Sequence, residues 1–338
     1  MKQMYYMGVD ISKEKVDIAL IDSNFNVLHE QCIKNTEAVL RSSIKKLLSR
    51  LKIEKENLLI CCEETGIYKR TLQECCVNNG WNLWVEIALK IKKASSNLRG
   101  KSDRQDALRI AEYACRYSDK KVIYKEPSSE QSTLQNLLNA REDLISEKVS
   151  LEQRVNETKN YNKAVHAIQK KYFSSVIKVI KRELASLEKA IDELTENCTE
   201  ISKNVELISS ISGIGKQTAL NFIVYTNNFT KFESANHLAC YAGVAPFPNE
   251  SGIMIKRARV SQLANKKLKK LLHLAAMSAV RSNGDLKEYY IRKVQEGKNK
   301  MLVLNNVRNK LVKRMFAVVK RQSAYVSIKN EINICNLT

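Results

Sequence analysis

The chain has 338 residues, an ordinary hydrophobic content of 44% and no apolar run near the roughly 18 residues of a membrane span, so it reads as two or more domains with their own cores and no membrane anchor. Its nine cysteines occur singly or as adjacent pairs and never as CxxC, and its four histidines are scattered. That pattern argues against a disulfide framework and a transition-metal cluster, and for reduced thiols in a cytoplasm. The net charge of +21 is unevenly spread: Lys and Arg balance Asp and Glu at 12 against 12 over residues 1–87, stand at 11 against 4 over 88–125, 14 against 16 over 126–250, and 19 against 3 over 251–321. Two basic blocks flanking a mildly acidic middle point to polyanion contacts, with nucleic acid as the expected partner.

MKQMYYMGVD lacks the apolar core of a signal peptide. Residues 5–28 read as a β-hairpin with turns at SKEK and SNFN, leading into a further extended run, VLHEQCI. Asp10 ends the first apolar run, where an acid is costly unless it serves something. Residues 36–51 pattern as an amphipathic helix with Thr36 as its cap; NLLICC at 57–62 is a short buried strand, and Glu63 follows at once. A helix over 67–79 and a strand in WNLWVEIAL complete a β-β-β-α-β-α-β order, an α/β layered domain over residues 1–125.

The next stretch, NLRGKSDRQDALRIAEYA, reads as a helix from Ser102 onward. Asp103 and Asp106 are three residues apart, hence on one face, one turn apart. Acids in a first turn also suit the helix dipole, which is the plain explanation for them. If the strands carrying Asp10 and Glu63 are neighbours, however, four carboxylates converge at one sheet edge. Such a cluster repels itself unless divalent cations are bound, and oxygen-only ligation favours Mg²⁺ or Mn²⁺. Arg99, Lys101 and Arg104 then supply nucleic-acid contacts beside the acids.

Residues 130–206 contain neither Gly nor Pro and keep helical spacing, with a polar break at 156–163. They read as two long antiparallel helices, an arm within residues 126–206 that is ~57 Å long at 1.5 Å per residue. The stripe Val165, Ile168, Tyr172, Val176 suits packing or self-association. In residues 207–338, ISSISGIGKQTA carries a helix-hairpin-helix-like step, with Gly213, Gly215 and Lys216 offered to a DNA phosphate. Beyond the Pro246/Pro248 loop and Ser251-Gly252, a strand-like IMIKRARV contributes Lys256, Arg257 and Arg259, and a basic helix contributes Lys266, Lys267, Lys269 and Lys270. The final helix, NKMLVLNNVRNKLVKRMFAVVKR, puts Leu304, Val307, Leu311, Met315 and Val318 on one side and Lys and Arg on the other.

Four segments resemble DEDD-type transposases and site-specific recombinases related to the Piv invertase, the enzymes of bridge-RNA-guided insertion sequences. They are MGVDISK, EETGIY, KSDRQDALRIAEYA, and SISGIGKQTA with FESANHLACYAGVAPFPNESG. The resemblance implies an RNase-H-like (RuvC-like) N-terminal domain, a coiled-coil arm and a mainly helical C-terminal transposase domain. It assigns Asp10, Glu63, Asp103 and Asp106 as the metal-binding acidic tetrad, and Ser251 as a nucleophile that forms a phosphoserine link to DNA. It also implies a structured guide RNA and a homo-oligomer, dimer or tetramer, whose active site is shared between subunits. The alternatives are a metal-dependent junction nuclease with Ser251 as an ordinary loop serine, a tyrosine recombinase using Tyr289 or Tyr290, and a non-catalytic nucleic-acid binder.

Overall fold

The computed structural model describes residues 3–64, 66–94, 103–251, 254–260 and 264–326, without the side chains of 103, 247–251 and 254–260. The chain forms two compact units, residues 1–126 and 127–338.

In the first unit, β1 (Tyr5–Ile11), β2 (Lys15–Asp22) and β3 (Val27–Lys34) form an antiparallel meander. After α1 (Glu37–Leu51), β4 (Leu58–Glu63) adds parallel to β1; after α2 (Arg70–Asn79), β5 (Asn82–Glu86) adds parallel to β4. The order β3-β2-β1-β4-β5 gives a mixed five-stranded sheet, consistent with an RNase-H-like domain. α1 ends at Lys52 and α2 at Gly80, both left-handed. The segment after β5 turns at once into a helix that the sequence reading folded into the strand, α3 (Ala88–Ala94). α4 (Asp103–Arg116) follows.

Strand alternation sorts the sheet's two faces. Met7, Val9, Ile18, Leu20, Ile60, Cys62 and Leu83 pack with Leu40, Ile44 and Leu72 of α1 and α2. Tyr6, Ile21, Leu59, Cys61 and Trp84 pack instead with Ile110, Ala111 and Ala114 of α4. α4 lies directly on β1 because Gly8 has no side chain: a Cβ there would sit 2.0 Å from the Ala107 carbonyl oxygen and 2.3 Å from the Ala111 nitrogen.

The second unit opens with α5 (Ser129–Thr158) and α6 (Lys163–Asn197), an antiparallel pair capped by Ser128 and Asn162. α7 (Thr199–Ser209), α8 (Lys216–Tyr225) and α9 (Ala235–Tyr241) follow. Next come a β6 (Pro246–Ser251)/β7 (Met254–Val260) hairpin, α10 (Lys266–Arg281), α11 (Asp285–Gln295) and α12 (Lys300–Arg321). The sequence reading ran the arm through residue 206; Cys198 breaks it, and α7 turns into the helical core instead. The root of the arm joins that core through Leu134, Leu138 and Ile191, whereas Val165, Ile168, Tyr172, Val176 and Val179 stay exposed on α6. The apolar side of α12 is buried as patterned, but Arg308 is buried with it.

Candidate active site and nucleic-acid surface

The register places two of the predicted acids, Asp10 and Glu63, on one sheet face. Val9 pairs with Cys62, so Asp10 and Glu63 end adjacent parallel strands, and alternation turns both toward α4. α4 seated on Gly8 brings Asp106 to the same place: Glu63 is half-buried and its carboxyl is pushed up, first by burial, then by Asp10 and Asp106, with Lys92 opposing. Asp106 meanwhile receives Arg109 Nη1 at 2.6 Å. Asp103 is the first residue of α4, but its side chain lies outside the described residues, as do Arg99 and Lys101. Arg104 is exposed on the first turn.

Two acids that pattern reasoning passed over extend the row. Asp17 is the Cα partner of Asp10 and Glu86 that of Glu63, so Asp17, Asp10, Glu63 and Glu86 cross four adjacent strands on the α4 face. Asp17 and Glu86 are buried, with Lys15 at 3.9 Å from the former and Lys90 at 3.0 Å from the latter. Glu86 also accepts the hydroxyl of Tyr113 on α4 at 3.3 Å and the Ile87 amide at 2.8 Å. Burial, and then Glu86, push the Tyr113 hydroxyl well above its ordinary value. The signal was present in the sequence: Glu86 closes β5 as Glu63 closes β4.

Among the described residues, no three His, Cys, Asp or Glu side chains are grouped tightly enough to hold an ion. Asp10 and Asp106 both act on Glu63 by repulsion, and Asp106 is paired with Arg109. The donor set nevertheless fits a hard divalent cation: carboxylate oxygens from three elements on one face, in mutual repulsion that a cation would relieve.

In the second unit, Ser251 ends β6 opposite Met254. Its side chain lies outside the described residues, as do those of Lys256, Arg257 and Arg259 on β7. Gly213 (φ +91°) is seated against α10, where a Cβ would meet the Ala275 carbonyl at 2.7 Å and the Ala279 Cβ at 2.6 Å; Gly215 is open and precedes α8. Two expected phosphate contacts are engaged within the chain. Lys216 pairs with Asp192 at 2.8 Å, and Lys267 pairs with Glu142 at 2.7 Å while lying over the Tyr225 ring. Lys266 and Lys270 are exposed and Lys269 partly so. Tyr289 and Tyr290 pack against the helical core, Tyr289 beneath Lys310.

A sheet whose acids gather under a glycine-seated helix, followed by a basic helical unit, is consistent with a nucleic-acid-processing enzyme, and comparisons with known proteins give the family. Residues 7–158 match the transposase model of the DEDD, IS110 type, and residues 205–291 match the Transposase IS116/IS110/IS902 family. The chain belongs to this transposase family. It is 26% identical to the pilin gene-inverting protein of Moraxella lacunata over 331 residues, covering 95% of this chain and 97% of that one. It is 22% identical to the transposase for insertion sequence element IS1111A of Coxiella burnetii over 353 residues, covering 96% and 92%. It is 34% identical to the transposase for insertion sequence element IS1533 of Leptospira borgpetersenii, over 112 residues covering 33% and 31%.

Proposed function

We propose that the chain cuts and rejoins DNA strands for an insertion sequence through a covalent phosphoserine, with Ser251 as nucleophile and Asp10, Glu63, Asp103 and Asp106 as a divalent-metal site. The observation that carries the reading is the convergence of Asp10, Glu63 and Asp106 from β1, β4 and α4 on one sheet face. Bound Mg²⁺ or Mn²⁺ would supply Lewis-acid stabilisation of the charge that builds on the phosphoryl oxygens. The Ser251 oxygen forms the new bond to phosphorus as its proton passes to a base. The P–O bond to the departing strand breaks, and that strand's deoxyribose oxygen leaves as a hydroxyl. A hydroxyl of the strand to be joined then attacks the phosphoserine and releases Ser251, so the number of phosphodiesters is conserved.

Lys266, Lys270, Arg104 and the β7 cations would hold the DNA backbone, and the resemblance extends the reading to a structured bridge RNA that selects sequence by base pairing. The exposed α6 stripe of Val165, Ile168, Tyr172, Val176 and Val179 supports assembly into a homo-oligomer. No described helix is long and apolar enough to cross a membrane. The test is trapping on a nicked suicide substrate with guide RNA supplied. Wild-type protein should give a denaturation-resistant protein–DNA adduct; Ser251→Ala and Asp106→Ala should give none. Free nicked ends from Ser251→Ala would replace the recombinase by a hydrolytic nuclease.

A further inference from the structure

α10 and α12 together carry twelve Lys and Arg and no Asp or Glu. Arg308 stands apart from the rest, because it is only 8% exposed. Its Nη2 donates to His273 Nδ1 at 2.6 Å, its Nε is buried with no hydrogen-bond partner, and among the described residues it makes no ion pair. An arginine does not shed its proton, and a buried charge without a counter-ion costs several kcal/mol. Neither its own helix nor α10, which carries His273, contains an acid to offset it.

The contact with His273 has a chemical consequence. A guanidinium only donates, so Nδ1 must accept and the neutral ring carries its proton on Nε2. His273 lines an open groove along α10 with Leu274, Met277, Ser278, Arg281 and Ser282. An imidazole, a guanidinium and the Ser278 hydroxyl thus line the groove beside Ser282, whose hydroxyl donates to the Ser278 carbonyl at 3.1 Å, and the imidazole is backed by the buried Arg308 charge. Lys270, His273, Met277 and Arg281 recur at helical spacing, a stripe ~16 Å long at 1.5 Å per residue. That length suits a polymer carrying a charge every few ångströms better than a single small anion.

We propose that this groove seats a backbone phosphate of duplex DNA, held by His273 Nε2–H and the Arg281 guanidinium, with Arg308 acting through His273 as the buried countercharge. The inference rests on reading DNA as the substrate, and it is independent of Ser251 and the acidic row.

The experiment measures binding of the full chain to a fluorescein-labelled 40-base-pair duplex, and to an RNA hairpin of equal charge, across a salt series. Arg308→Met removes the buried charge at similar volume, so it should melt no lower than wild type. It should nevertheless bind duplex about 10-fold more weakly, with the slope of log affinity against log salt shallower by about 0.9. His273→Phe, which keeps the ring shape and loses the donor but leaves the Arg308 charge in place, should weaken duplex binding comparably with a smaller change of slope, even if Arg308→Met folds poorly. A purely structural Arg308 would lower the melting temperature and leave the slope alone. Unchanged duplex slopes in both variants overturn the proposal, as does a loss confined to the RNA. Failure of wild-type protein to bind duplex at all would instead strike the reading of DNA as substrate.

Discussion

Both units are net basic, but each concentrates an imbalance of one sign, acidic in the first and basic in the second, at one place. The first gathers Asp17, Asp10, Glu63 and Glu86 across one sheet face, with Asp106 beside them on α4. The second builds a core whose two longest basic helices carry no acid, and buries Arg308 among them. Isolated proteins avoid such arrangements, because like charges at close quarters and unpaired buried ions both cost stability. Each imbalance is of the kind that a bound counter-ion would offset, a divalent cation in the first unit and a phosphate in the second, as proposed above. The same device builds both, since each places a helix against its neighbour by way of a glycine, Gly8 under α4 and Gly213 against α10.

The largest effects should come from those two glycines. Gly8→Ala forces α4 off β1 and should destabilise the first unit by ~3 kcal/mol or more, at the upper end of overpacking. Gly213→Ala adds left-handed strain to a clash and should do the same to the second. Hydrogen exchange read peptide by peptide would show the loss confined to the substituted unit; a loss spread over both would mean that they unfold as one.

Glu86→Gln sharpens the contrast within the first unit. Glu86 ties α4 to β5 through Tyr113 and stands beside Glu63, so it positions the site without being one of the four assigned acids. Strand exchange should fall by about 10- to 100-fold, as for outer-shell partners of a metal site. The divalent-ion concentration needed for half-maximal activity should rise; an unaltered requirement would reduce Glu86 to a packing residue.

A pH series separates the two imbalances. Glu63 is held above its ordinary value of about 4.3 in the folded chain. With divalent ions chelated, its contribution to stability is fully present below that pH and is lost as pH rises through the folded-state value. Glu63→Gln cannot ionise, so it should melt with wild type in acid and above wild type near pH 7. Adding Mg²⁺ should abolish the advantage, and a variant less stable than wild type at pH 7 in chelator would contradict the crowding of charge.

The smallest effects belong to the lysines of α10. Lys267→Met should cost ~0.5–1 kcal/mol through the lost Glu142 pair, while leaving the salt slope of DNA binding near that of wild type. Lys266→Met with Lys270→Met should do the reverse, making the slope shallower by up to ~1.8. The opposite assignment would return Lys267 to the DNA surface.

Much of this was legible in the sequence. Strands β1, β2 and β4 and the α4 helix announce themselves by apolar runs between turns and by helical spacing, and the strand-end positions of Asp10 and Glu63 were readable before any register was known. The face they share needed the pairing Val9 to Cys62, which a single chain does not print. Asp17 and Glu86 were missed for the same reason: an acid inside a strand reads as solvent-facing until a helix is found covering it. α3 was missed because IALKIKKA satisfies strand and helix patterns equally over so short a run. The uniform basic side expected of α12 failed at Arg308, since residue type does not reveal which charge a neighbouring helix will cover. The same limit applies to Lys216 and Lys267, whose partners Asp192 and Glu142 lie far off in the chain.

The central claim is that the acids of β1, β4 and α4 form one divalent-cation site. Mn²⁺ titration of the full chain, followed by the loss of the free-ion electron paramagnetic resonance signal and reversed with Mg²⁺, reads it without requiring catalysis. Wild-type protein should take up Mn²⁺ that Mg²⁺ displaces, and Glu63→Gln and Asp106→Asn should each weaken that uptake by an order of magnitude or more. Equal uptake by wild type and both variants, or none by wild type, would contradict the account.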